Sequence, residues 1–292
     1  MRRSLLFLPG NNPNMIINAP YLGADAVIFD LEDAVAPDQK DAARILVRNT
    51  LKHMKLGSEA IVRINSVDTP FWQADLEEMI PYRPSLILLP KTATAEDART
   101  VSDYMETLEI KAGLAVGTVG LMPLIETALG VENAYSIATA DQRVRALFLG
   151  AEDLTADLGC KRTKEGREIE YARTRLVVAA KSAGIEVYDT PFTDVNDDEG
   201  IEIDAATAKN LGFSGKAAIS PRHVEVINRT FSPTEKEIEY ALEVLDAIEE
   251  AKRQGKGAIA LYGKMIDAPI VTRAEKTLEA ARALGLCREG VR

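Results

Sequence analysis

The feature that most constrains this fold is an alternation repeated along residues 4–219: a short apolar run, a turn, then a helix-like pattern. The strand-like runs are Ser4–Leu8, Ala26–Leu31, Ala60–Ile64, Ser85–Leu89, Leu121–Ile125, Ala146–Leu149, Glu186–Tyr188 and Lys216–Ile219. Short apolar runs bounded by turn signals read as buried strands. Between them the helix patterns cover 71–80, 94–108, 127–139, 168–183 and 198–211. The clearest one starts at Asp38, an N-cap candidate, and sets Ala42, Ala43, Leu46, Thr50, Leu51 and Met54 on one face. Eight strands each followed by a helix predict an α/β chain folded as a (βα)₈ TIM barrel over residues 1–231. An open doubly wound sheet is the alternative that a strand count alone leaves open.

From residue 232 the pattern changes. Ser232-Pro233-Thr234-Glu235 reads as a capping box with proline at the first helical position. It opens a long helix striped by Ile238, Ala241, Leu242, Leu245 and Ile248, which Gly255-Lys256-Gly257 breaks. A glycine-punctuated apolar stretch leads to Asp267-Ala-Pro269 and a last helix carrying Ile270, Ala274, Leu278 and Ala281. Residues 232–292 are therefore expected to form a C-terminal helical extension that packs on the barrel or on a neighbouring subunit.

In a barrel the C-terminal strand ends form the active face. Those ends read Glu32-Asp33, Arg63, Lys91, Glu126, Asp153 and Asp189 in order. Glu126 and Asp153 end consecutive strands, so both point at one spot, as a hard cation such as Mg²⁺ requires. Glu126 alone is equally well read as an acid at a helix N-terminus; the pairing with Asp153 favours the metal. Glu32-Asp33 lie in Phe-Asp-Leu-Glu-Asp, where crowded acids call for a cation, and are expected to act through metal-bound water. Arg63 is either half of a structural ion pair or a clamp for developing oxyanion charge. Lys91 is a weaker substrate-binding candidate, since a lysine is by default on the surface. The run Lys161, Arg162, Lys164 and Arg167 reads as a solvated charged loop rather than a phosphate site.

Composition narrows the chemistry. The only histidines, His53 and His223, fall on a helix pattern and in a turn, which argues against a histidine-based triad or zinc centre. With 45 acidic against 35 basic side chains the net charge is −10, which disfavours nucleic acid or an anionic membrane as partner. Cys160 and Cys287 have no metal-ligand spacing and suit a reducing, cytoplasmic setting. No apolar run approaches membrane-spanning length, and the N-terminal run breaks at Pro9-Gly10-Asn11-Asn12 like a strand-to-loop turn, not a signal peptide.

Several segments resemble, in order, motifs of the citrate lyase β and malyl-CoA lyase family. They are Arg2–Gly10, Phe29–Ala34, Val62–Asn65, Leu89–Thr92, Leu124–Thr127, Leu149–Asp153, Leu211–Phe213 with Gly215-Lys216, and Gly263–Pro269. The resemblance implies a (βα)₈ barrel that uses Mg²⁺ to break a C–C bond in a 3-hydroxyacyl thioester. It implies Glu126 and Asp153 as metal ligands, Arg63 on the thioester and substrate oxygens, and Asp267 as an acid/base reaching a neighbouring subunit's site. The substrate would be a citryl thioester on CoA or an acyl carrier protein, cleaved to oxaloacetate and an acetyl thioester. The partners implied are citrate lyase α and γ subunits and further copies of this chain, as a trimer or hexamer. Citramalyl-CoA and malyl-CoA are the rival substrates, and a non-catalytic thioester-binding subunit is the rival of another class. Ser220 departs from the asparagine or histidine that such relatives carry before the proline, here Pro221.

Overall fold

A computed structural model describes residues 1–253, 259–262 and 264–287. Eight parallel strands close into a barrel in the order β1 to β8. They are β1 (Ser4–Pro9), β2 (Ala26–Asp30), β3 (Glu59–Arg63), β4 (Leu86–Leu89), β5 (Gly120–Ile125), β6 (Ala146–Leu149), β7 (Glu186–Asp189) and β8 (Gly215–Ala218). β1 pairs with β8, Leu5 opposite Ala217, so the sheet has no edge and the open-sheet alternative falls. The helices are α1 (Pro13–Asn18), α2 (Lys40–His53), α3 (Trp72–Met79), α4 (Ala95–Lys111), α5 (Ala128–Glu132), α6 (Ala134–Ala138), α7 (Ala151–Asp157), α8 (Glu170–Ala183), α9 (Asp198–Leu211) and α10 (Pro221–Phe231).

Both faces of the strands are covered, which is why they read as unbroken apolar runs and not as an alternation. One core cluster takes Leu5, Ala26, Ile28, Ile61, Leu86, Leu88, Met122, Leu124, Ala146, Phe148, Tyr188 and Ala217, and fills the barrel interior. Their neighbours in sequence, such as Val27, Phe29, Val62, Ile87, Leu147 and Val187, are equally buried and face the helix layer. At the N-terminal end of the strands Arg2 pairs with Glu59 and Glu186, and Arg3 reaches Asp25 at 2.8 Å. Closure leaves no room beside Gly215, where a Cβ would meet the Arg2 carbonyl oxygen at 2.2 Å.

Two local readings need correction. Asp38 caps nothing: α2 begins at Lys40, after a 3₁₀ turn over Pro37–Gln39. The capping box that starts α11 (Glu235–Arg253) is Thr234–Glu237, not Ser232–Glu235: the Glu237 amide donates to Thr234 Oγ1 and the Thr234 amide to the Glu237 carboxylate. Elsewhere Thr94 caps α4 through a reciprocal pair with Asp97.

The chain divides into two compact units, Arg2–Asn228 and Arg229–Arg292, the division falling inside α10. In the second unit α11 packs on α12 (Ala268–Ala283) through Ala241, Val244, Ala274 and Leu278. Strands β9 (Ile259–Leu261) and β10 (Lys264–Ile266) pair antiparallel beside them. The glycines proposed to break the long helix, Gly255 and Gly257, lie outside the described residues. Among those described, no helix is long and apolar enough to cross a membrane.

Candidate active site

Side-chain alternation builds the site. Interior residues Phe7, Ile28, Ile61, Leu124, Phe148 and Tyr188 are each followed two positions later by a residue that lines one cavity or is held at its wall: Pro9, Asp30, Arg63, Glu126, Gly150 and Thr190. The cavity, of about 490 Å³, opens at the C-terminal ends of the strands. Asp33 joins from the loop after β2 and Glu152 and Asp153 from the first turn of α7, and Met15, Pro191 and Ile219 add apolar wall.

Arg63 is the most constrained group. Its Nε and Nη2 donate to the two oxygens of Asp30 at 2.7 and 2.6 Å. Asp30 is itself fixed by the amides of Glu32 and Ala34 at 2.8 and 3.1 Å. Phe7 lies beneath the guanidinium, 5.2 Å from Cζ to ring centroid, and meets Phe148 edge-on at 5.9 Å. Nη1 faces outward, 3.1 Å from Glu32 and 3.4 Å from Asp33. Burial opposes the Arg63 charge, but Asp30 and the two further acids more than offset it, so its pKa moves up.

The acids are crowded. Glu126 is buried, and burial first, then the charges of Glu32 and Asp153, push its carboxyl up to about 8 against the Lys91 amide that favours ionisation. That amide donates to Glu126 Oε1 at 2.6 Å from a residue in the left-handed region, φ +52°. Gly150 leaves the space that the carboxylate fills: a Cβ there would stand 2.6 Å from Glu126 Oε2. Glu32 is raised to about 7, mainly by burial, and its Oε2 has no hydrogen-bond partner despite the nearby Arg63. Lys91 Nζ lies 3.3 Å from Glu32 Oε1, and the buried Lys40 ammonium ties down the Leu31 and Glu32 carbonyls at 2.8 and 2.7 Å.

The structure thus gathers Arg63, Glu126, Asp153 and Asp33 at one cavity, with Glu32 and Lys91 attached through Arg63 and through the Glu126 hydrogen bond. It turns one other acid away from the cavity. Asp189 follows the interior Tyr188 by one position and so faces the helices, where it pairs with Arg173 and Lys216. Asp267 belongs to the second unit, exposed, and its side chain accepts from the Ile270 amide as the N-cap of α12. Of the basic run, Arg162 pairs with Glu168 and Lys164 with Asp194 and Asp197, so those two cations are already engaged. Asp30, Lys40 and Thr190 do not stand out from strand-end position alone; Asp30 and Thr190 each lie two residues on from an interior position, Ile28 and Tyr188.

A closed barrel with acids and one arginine gathered at its C-terminal mouth is the architecture of a barrel enzyme. The chain belongs to the HpcH/HpaI aldolase/citrate lyase family, whose pattern matches residues 3–221. It is 44% identical over 284 residues to citrate lyase subunit beta of Leuconostoc mesenteroides subsp. cremoris, covering 97% of this chain and 94% of that one. It is 33% identical to mitochondrial citramalyl-CoA lyase of Rattus norvegicus, covering 97% and 87%. Among solved structures it resembles protein CitE from Mycobacterium tuberculosis in complex with magnesium, acetoacetate and coenzyme A, with TM-score 0.77 and 31% identity over 96% and 98% of the two chains.

Proposed function

We propose that this protein is a Mg²⁺-dependent carbon–carbon lyase that cleaves a citryl thioester, on CoA or an acyl carrier protein, to oxaloacetate and an acetyl thioester, as a citrate lyase β subunit does. The observation that carries the reading is the shared cavity: Arg63, locked on Asp30, faces the same space as Glu126 and Asp153.

The residues fit a Mg²⁺ ion. Glu126 and Glu32 are buried acids pushed toward neutrality first by desolvation and then by neighbouring carboxylates, Glu32 Oε2 accepts no hydrogen bond although Arg63 Nη1 stands 3.1 Å away, and Gly150 leaves room for the Glu126 carboxylate. A nearby cation would reverse that pressure. Among the described residues no three acids, histidines or cysteines converge as a full ligand set. Two carboxylates, Glu126 and Asp153, suit an ion that keeps its other positions for water and substrate oxygens. When bound, Mg²⁺ supplies the electrophile for the hydroxyl and carboxylate oxygens of the acyl group.

The protein's own groups do the rest. Loss of the hydroxyl proton lets the alkoxide collapse to a ketone as the C–C bond breaks, and its electron pair passes to the thioester carbonyl as an enolate. The Arg63 Nη hydrogens not used by Asp30 stabilise that enolate oxygen. Asp267, presented by a second subunit, takes the hydroxyl proton as that collapse begins and returns it to the enolate carbon. Lys91 and Glu32 steady the mouth, and Glu32 with Asp33 orient water. The setting is cytoplasmic, with citrate lyase α and γ subunits and a trimer or hexamer of this chain as partners; the exposed Cys160 and partly buried Cys287 remain free thiols there.

Citramalyl-CoA is the second reading, favoured by the apolar wall of Met15, Pro191 and Ile219, which would accept a methyl as readily as a carboxymethyl group. Assaying citryl-, citramalyl- and malyl-CoA side by side separates them. Glu126→Gln should keep its fold, lose calorimetric Mg²⁺ binding and lose nearly all turnover. Full turnover in EDTA or in that variant would remove the metal role, and turnover of none of the three thioesters by the native protein would leave a binding subunit.

A further inference from the structure

Thr190, two positions beyond the interior Tyr188, lines the cavity beside the strand that leads to Asp153, and the scheme above leaves it unused. Its residue is 1% exposed. Thr190 Oγ1 accepts from the Ala151 amide at 3.1 Å, which spends one lone pair and fixes where the oxygen sits. A threonine hydroxyl also carries one hydrogen to donate, and among the described residues that hydrogen has no acceptor.

Behind Thr190 lies a buried quartet of charges. Lys216, fully enclosed, donates to the Thr190 carbonyl at 2.6 Å and pairs with Asp189 at 2.7 Å and Asp204 at 2.6 Å. Arg173 completes it, bridging Asp189 at 2.8 Å and Asp204 at 2.6 Å. Two cations face two anions, so the set is neutral. Buried ion pairs are weak sources of stability compared with well-packed apolar groups. What this set visibly does is fix the one backbone carbonyl that precedes the cavity wall.

We propose that Thr190 is a substrate-binding residue that donates its hydroxyl hydrogen to a carboxylate oxygen of the oxo-acid half of the substrate, with Lys216 as its positioning residue. This rests on the lyase reading. There the thioester carbonyl belongs beside Arg63 at the end of β3, and the oxo-acid half beside Glu126 and Asp153 after β5 and β6. Thr190 follows β7, on the oxo-acid side.

Calorimetry of oxaloacetate binding at saturating Mg²⁺ tests this, with Mg²⁺ affinity and thermal melts measured on the same variants. Thr190→Val should bind oxaloacetate roughly 10–100-fold more weakly, the loss of one hydrogen bond to a charged group, with Mg²⁺ affinity unchanged. Thr190→Ser, which keeps the hydroxyl, should stay within a few-fold of the native protein. Lys216→Met, or Asp204→Asn if the former does not fold, should weaken oxaloacetate in the same direction and add little on top of Thr190→Val. Native affinity in Thr190→Val, equal losses in Thr190→Ser, a loss confined to Mg²⁺, or fully additive losses would each overturn the assignment. A native protein that binds no oxaloacetate would remove the lyase reading and this inference together; native binding with an indifferent Thr190→Val removes this inference alone.

Discussion

At the scale of single residues, Arg63 is where chemistry and architecture cannot be separated. Its fork is matched to Asp30 by two hydrogen bonds, and only the outward Nη1 is left for a ligand or for Glu32 and Asp33. Lysine would keep the charge but could neither span both Asp30 oxygens nor stack its plane on Phe7. Arg63→Lys should therefore lose roughly 10²–10³-fold in kcat, as removal of an oxyanion donor does. Native kcat in that variant, by steady-state assay, would make the arginine purely structural. Arg63, Glu126 and Asp153 were legible in the sequence because each stands beside a strand end. Their directions were not. Asp189 looked like one more site acid because a strand end says nothing of which face its last side chain takes, whereas the interior Tyr188 settles it by parity.

At the scale of elements, the eight strands were legible because burial on both faces makes most of their residues apolar. The short helices α1, α7 and α10 were not. Each follows its strand after at most a few residues, and α1 and α7 are too short to show a repeating apolar stripe, so the strand-to-loop turn signals at Asn12, Gly150 and Ser220 dominate the local sequence. Helix α10 also carries a testable oddity. His223 is fully enclosed against Phe192, and neither ring nitrogen has a hydrogen-bond partner. Burial lowers its pKa; Asp198 and Asp194 pull it up, and Lys216 and Arg222 push it down. The folded protein refuses a proton that the unfolded chain accepts near pH 6.5. Its contribution is thus whole above that pH and is lost as pH falls toward the lower folded value. Unfolding free energies from urea titration should fall more between pH 7.5 and 5.5 for the native protein than for His223→Gln, by at most about 1.4 kcal/mol per pH unit. Equal falls would mean that this ring is protonated without penalty.

At the scale of the whole molecule, Asp267 carries two roles that experiment can tell apart. Within its own unit Asp267 caps α12, accepting from the Ile270 amide at 3.2 Å, so the local reading of that aspartate and the one implied by resemblance share one side chain. They make different demands. A cap lost to asparagine costs little, because asparagine caps nearly as well, while a lost acid/base costs about 10²–10⁴-fold in rate. Asp267→Asn should then melt like the native protein and turn over slowly. If the residue serves a neighbour, mixed oligomers of Asp267→Asn and Glu126→Gln chains should regain part of the activity, since some interfaces pair two intact halves. Demonstrated mixed oligomers without recovery would place Asp267 outside a shared site.

The left-handed backbone at Lys91 has a consequence for selection. A residue with a Cβ spends roughly 1–2 kcal/mol to sit there, and glycine would be relieved of most of it. Glycine would also keep the amide that holds Glu126, but it would remove the ammonium beside Glu32. A library screened for heat tolerance should enrich Lys91→Gly, and the same library screened for turnover should discard it. Position 91 is where the two kinds of fitness part company.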